Sequence, residues 1–159
     1  MAVRAKLGIS TFFVCLAFWM GQKVNGNRLW IGFDLGGTKM LSIAFDEKLK
    51  TIARRRKKSV GIEGVTASLD RITQIIEKTL EEAAATPDQL LGIGIGCPGP
   101  VEWDNGIVRV AVNLGWKNVP VGSILSNRFG CPVAVLNDVD AGTFGEYTCG
   151  AAEGSRCTI

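Results

Sequence analysis

No stretch of this chain constrains its fold more than residues 29–45, LWIGFDLGGTKMLSIAF, two apolar runs hinged on Gly36-Gly37. Gly32 and Gly37 have the spacing of a phosphate loop, but Thr38 precedes Lys39, reversing the order such a loop needs. The residues that follow, MLSIAF, contain one polar side chain, Ser42, and suit a strand rather than the start of a helix. The hinge therefore reads as a hairpin turn, which excludes a P-loop and sets two antiparallel strands at the start of the fold.

The rest of the pattern extends that sheet. Leu49 to Lys58 reads as a third strand, basic at its end. Between Glu63 and Ala85, Val65, Leu69, Ile72, Ile75, Ile76 and Leu80 recur at three- and four-residue steps, the signature of an amphipathic helix, and Pro87 stops it. LLGIGIG (90–96) reads as a buried strand closed by Cys97-Pro98-Gly99-Pro100. A short helix over Val121 to Phe129, a strand over Pro132 to Leu136 and a helix over Asp138 to Tyr147 follow, and Arg156 to Ile159 begins another strand. The predicted order β-β-β-α-β-α-β-α gives an α/β fold, a mixed sheet with helices on its faces.

Composition narrows the chemistry. The 159 residues suit one domain, and 18 basic against 15 acidic side chains leave +3, too little to argue for nucleic acid. There is no histidine, and the five cysteines include no C-x-x-C pair, which excludes the common zinc patterns and a Ser-His-Asp triad. Scattered, odd-numbered cysteines read as reduced cytosolic thiols, and Cys97 beside Pro98 as packing rather than reactive. Residues 1–28 stand apart: Arg4 and Lys6 precede a fifteen-residue uncharged stretch (7–21), laid out like a secretory signal but short for a membrane span. An extension with no structural role is the other reading. The run Arg54 to Lys58 reads as a solvated strand end.

Three stretches carry candidate chemistry. Gly36 and Gly37 let backbone N–H groups approach an anion, Thr38 offers a hydroxyl to a phosphate oxygen, and Asp34 suits a hydrated Mg²⁺. An ordinary hairpin turn is the plain alternative. Asn137-Asp138 follows the strand PVAVL at its carboxyl end, where open α/β sheets place their ligands. Asp138 there can accept a hydroxyl proton; the plain alternative is a helix N-cap. Asn113-Leu114-Gly115-Trp116 pairs an amide with an aromatic, which suits a sugar or, equally, a turn with a packed Trp.

In order, IGFDLGGTKM, GIGCPGPV, VNLGWKNVPV and LNDVDAGTFGE resemble four motifs of the ROK family (repressors, open reading frames, kinases), most closely its glucokinase branch. The resemblance runs from about Trp30 to the last residue and implies the N-terminal lobe of an actin-like ATPase (ribonuclease H-like) fold over residues 29–159. It implies ATP-dependent phosphorylation of a hexose such as glucose at its 6-hydroxyl, in the cytoplasm. By position, Asp34, Gly36, Gly37, Thr38 and Lys39 would face the ATP phosphates and Mg²⁺. Asn113 and Asn137 would bind the sugar, and Asp138 would be the catalytic base. The family continues into a second phosphate loop, a zinc loop and the adenosine pocket, so this stretch alone is expected to be an incomplete kinase. A non-catalytic sugar- or partner-binding half-domain is the alternative. Implied partners are the hexose, ATP, and either a second copy or a C-terminal lobe. The DNA-binding module of ROK repressors finds no match in residues 1–29, so neither nucleic acid nor membrane is expected as a partner.

Overall fold

The computed structural model describes residues 28–58 and 64–149. The apolar segment 7–21 and the expected strand at Arg156–Ile159 lie outside them. β1 (Leu29–Leu35) turns through Gly36–Thr38 into β2 (Lys39–Asp46), and β3 (Thr51–Lys58) follows. Both pairings are antiparallel, with Asp34 opposite Leu41 and Leu41 opposite Arg56. α1 (Gly64–Glu82) leads to β4 (Leu90–Cys97), α2 (Val121–Phe129) to β8 (Val133–Asn137), and β8 runs straight into α3 (Asp138–Cys149). β1, β4 and β8 are parallel, so the sheet, ordered β3-β2-β1-β4-β8, is mixed as the sequence predicts.

Residues 101–119 differ from expectation. They form a second, three-stranded sheet of β5 (Val101–Glu102), β6 (Ile107–Ala111) and β7 (Trp116–Val119). Strands of two to five residues are too short to show a period of their own, and pairing with neighbours makes them.

Periodicity decides what each face buries. Ile72, Ile75, Ile76 and Leu80 of α1 and Leu125 and Phe129 of α2 pack with Ile31, Phe33, Ile93 and Ile95 in the larger core. Truncating the fully buried Ile72 to Ala costs about 2–5 kcal/mol. The opposite face carries a smaller cluster of Trp30, Ile43, Phe45, Leu91 and Ala141 of α3. There β4 offers glycines at alternate positions: a Cβ on Gly92 would lie 2.9 Å from the Trp30 ring. Cys97 and Cys131 are buried free thiols, and burial pushes them up to about 12 and about 11, so they stay protonated and inert. Among the described residues no helix is long and apolar enough to cross a membrane.

Candidate active site

The parallel strands bring three of the candidate motifs to one edge. Asp34, one residue from the end of β1, is level with Gly96 of β4, and Gly96 is level with Leu136 of β8. One residue past Asn137, α3 starts with Asp138 and bends back over β4. A Cβ on Gly96 would lie 3.8 Å from the Asp138 Cα and from the Ala141 Cβ. The bare glycine thus lets α3 settle close to the sheet and leaves two carboxylates flanking one position.

Electrostatics register that closeness. Asp34 is half-buried and its carboxyl is raised from 3.8 to about 6, first by loss of hydration and then by the negative charge of Asp138. Arg56, two strands away in the same cross-strand row, pulls it back down. Local pattern places Arg56 only in a solvated strand end, because an electrostatic influence across three strands depends on register, which that pattern does not contain.

The glycine turn needs its glycines for space rather than for handedness. Neither Gly36 nor Gly37 has a positive φ. A Cβ on Gly36 would come 2.6 Å from the Lys39 carbonyl oxygen. One on Gly37 would sit 3.3 Å from the Asn113 Cβ, so the phosphate-type turn and the sugar-type segment touch each other. Thr38, Lys39 and Asn113 are exposed at this edge.

Two expectations are refined. Trp116 is 2% exposed and belongs to the larger core, so it packs and offers no platform for a sugar. Asn137 is the N-cap of α3: its Oδ1 accepts the N–H groups of Val139 (2.9 Å) and Asp140 (3.3 Å). Its Nδ2 donates to the Gly99 carbonyl at 2.9 Å, which leaves one amide hydrogen for a ligand. Gly99 was not singled out by sequence. With φ +90° and a would-be Cβ 1.9 Å from the Val110 oxygen, only glycine fits there, and the Pro-Gly-Pro signal marks it. Asp138 is half-buried and its Oδ1 accepts the Val139 N–H at 3.0 Å, while Asp140 is exposed on α3. Among the described residues no three acidic or cysteine side chains cluster as a protein-only metal cage.

Comparison with known proteins places this geometry. The sequence profile of the ROK family matches residues 30–159. The chain belongs to the ROK family. This ROK chain is 47% identical over 72 residues to a xylose repressor of Caldicellulosiruptor bescii, covering 45% of the chain and 18% of that protein. It is 28% identical over 130 residues to a glucokinase of Halalkalibacterium halodurans, covering 82% of the chain and 39% of the relative. Among solved structures, the ROK glucokinase of Streptomyces griseus in complex with glucose and AMPPNP superposes with a TM-score of 0.68 at 29% identity, over 79% of this chain and 38% of that one. The chain therefore has the actin-like ATPase fold of ROK sugar kinases and spans about two fifths or less of the length of these relatives.

Proposed function

We propose that residues 29–159 are the sugar- and phosphate-handling lobe of an ATP-dependent hexose kinase of the glucokinase type, acting in the cytoplasm, with residues 1–28 standing outside the lobe. The observation that carries this reading is the pair Asp34 and Asp138, brought to either side of Gly96 and coupled electrostatically at the edge where the glycine turn meets Asn113. Likeness to a glucokinase bound to glucose and AMPPNP supports it.

In this reading Asn113 and the spare amide hydrogen of Asn137 hold sugar hydroxyls, and Asp138 orients the 6-hydroxyl and takes its proton. The bond from that oxygen to the γ-phosphorus forms as the bond to the bridging oxygen breaks, and ADP leaves with the electron pair. Gly36, Gly37 and Thr38 face the phosphates, and Lys39 adds a cation. Asp34 is the residue that would hold Mg²⁺, which fits a cation that takes one or two carboxylates and keeps its waters. When bound, Mg²⁺ neutralises charge on the transferring phosphate.

The repressor relatives favour one second reading, a lobe that binds a sugar and does not phosphorylate it. Steady-state kinetics on a protein that joins this lobe to a ROK C-terminal lobe distinguishes the two. Asp138→Asn lowers kcat by roughly 10²–10⁴ with little change in KM, because the amide still hydrogen-bonds but accepts no proton. Asp140→Asn is nearly silent. Loss of turnover in Asp140→Asn with Asp138→Asn active would make Asp140 the base and overturn the role given to Asp138.

A further inference from the structure

The kinase mechanism leaves one charge at the site edge without a role. Arg56 on β3 stands opposite Leu41, and Leu41 stands opposite Asp34, so the three side chains share one face of the sheet. In the strand order β3-β2-β1-β4-β8, Asp34 lies between Arg56, two strands to one side, and Asp138, which α3 carries over Gly96 on the other. Two strand spacings put the Arg56 backbone about 10 Å from that of Asp34, a gap that an extended arginine side chain largely spans. The Asp34 carboxyl registers the guanidinium: burial and then Asp138 raise it, and Arg56 draws it back. Arg56 is exposed and makes no hydrogen bond or ion pair among the described residues, whereas Arg55, on the other face, is paired with Glu82. Lys39, also exposed, lies two residues from Leu41 along β2, about 7 Å toward the glycine turn.

The edge is therefore polarised, with carboxylates toward α3 and cations toward β3. A phosphate brought up to a hydroxyl at Asp138 meets two negative groups, and its own oxygens are repelled by both. Positive charge on the far side of Asp34 offsets that repulsion. A guanidinium suits the task better than an ammonium, because its planar fork donates two parallel N–H bonds to a pair of phosphate oxygens. Of the donor's phosphates, the terminal one comes nearest the acceptor hydroxyl and so nearest the row of Asp34 and Arg56. We propose that Arg56 holds the terminal phosphate of the nucleotide from the β3 side of Asp34, so that the transferring group lies between this cation and a sugar seated toward α3. The proposal rests on the kinase reading and adds to it a residue and a direction across the sheet. A solvated strand end, the plain alternative, would not distinguish one nucleotide from another.

Calorimetry with the Mg²⁺ salts of AMPPNP and ADP, on the full chain joined to a ROK C-terminal lobe, tests it, because only AMPPNP carries the terminal phosphate. Arg56→Gln raises the dissociation constant for AMPPNP roughly tenfold and that for ADP by less than about twofold. Arg56→Lys recovers part of the loss, since it keeps the charge but not the fork. Arg54→Gln, one row further from the site on the same face, changes neither constant, and circular dichroism is unchanged in all three variants. In turnover, Arg56→Gln lowers kcat/KM for ATP about tenfold or more. The proposal is overturned if Arg56→Gln weakens both nucleotides equally or neither, if Arg54→Gln matches it, or if the wild type binds no nucleotide. A wild type that prefers AMPPNP, loses that preference in Arg56→Gln and yet leaves glucose unphosphorylated would keep the Arg56 contact and refute the kinase reading instead.

Discussion

Replacing Asp34 by Asn stabilises this chain at neutral pH, and the sign follows from where its proton sits. The folded carboxyl titrates near 6 against an ordinary 3.8. Between those values the native state holds a proton that the unfolded chain releases, so native stability falls as pH rises through the window. The penalty is complete above about pH 6 and absent below about pH 4. A displacement from 3.8 to about 6 corresponds to about 3 kcal/mol for a fully buried group. Asp34 is only half-buried, and solvent screening cuts the figure to about 1–2 kcal/mol. An amide of the same shape carries no such charge. Urea unfolding followed by tryptophan fluorescence therefore shows Asp34→Asn about 1–2 kcal/mol more stable than wild type at pH 7.5 and indistinguishable from it near pH 4. An NMR titration of the Asp34 side chain adds a direct check. Its midpoint lies near 6 in the wild type, falls in Asp138→Asn without reaching 3.8, because burial is the larger cause, and rises in Arg56→Gln. A pH-independent difference between Asp34→Asn and wild type, or a wild-type midpoint near 4, would refute the reasoning.

Two further substitutions test the scaffold that sets up the site. Ser42 in β2 is fully buried and its Oγ has no hydrogen-bond partner among the described residues, so Ser42→Ala raises stability by about 1 kcal/mol in the same urea assay. Gly99→Ala drives a Cβ into the Val110 carbonyl at a φ of +90° and costs about 2 kcal/mol or more; by moving the carbonyl that Asn137 grips, it also loosens the cap of α3, seen as faster amide exchange in the first turn.

Much of this fold is legible in local pattern because its long elements carry their own period. α1 announces itself through Leu69, Ile72, Ile75, Ile76 and Leu80, and the β1–β2 hairpin through Gly36-Gly37 between apolar runs. β5, β6 and β7 carry too few residues for a period, and neighbouring strands make them. The site was legible as motifs but not as geometry. Asp34 and Asp138 stand out as carboxylates at strand ends, yet their mutual effect comes from Gly96, whose missing side chain admits α3. Alternation in GIGIG holds that signal, since residues 92, 94 and 96 share one face. Trp116 misleads for the opposite reason: an aromatic beside an amide looks the same in sequence whether it faces a sugar or the core. Asn137 serves as cap and tether together, which a choice between helix capping and sugar binding does not anticipate.

The central claim is that the edge formed by Asp34, Asn113 and Asp138 performs phosphoryl transfer to a hexose rather than only holding one. Phosphorus-31 NMR of glucose incubated with ATP and Mg²⁺ reads this directly, using the lobe joined to a ROK C-terminal lobe. The account predicts a phosphate ester on the 6-hydroxyl that forms with the wild-type lobe and is reduced by two orders of magnitude or more with Asp138→Asn. Glucose recovered unmodified from a protein shown by calorimetry to bind both glucose and ATP would contradict it.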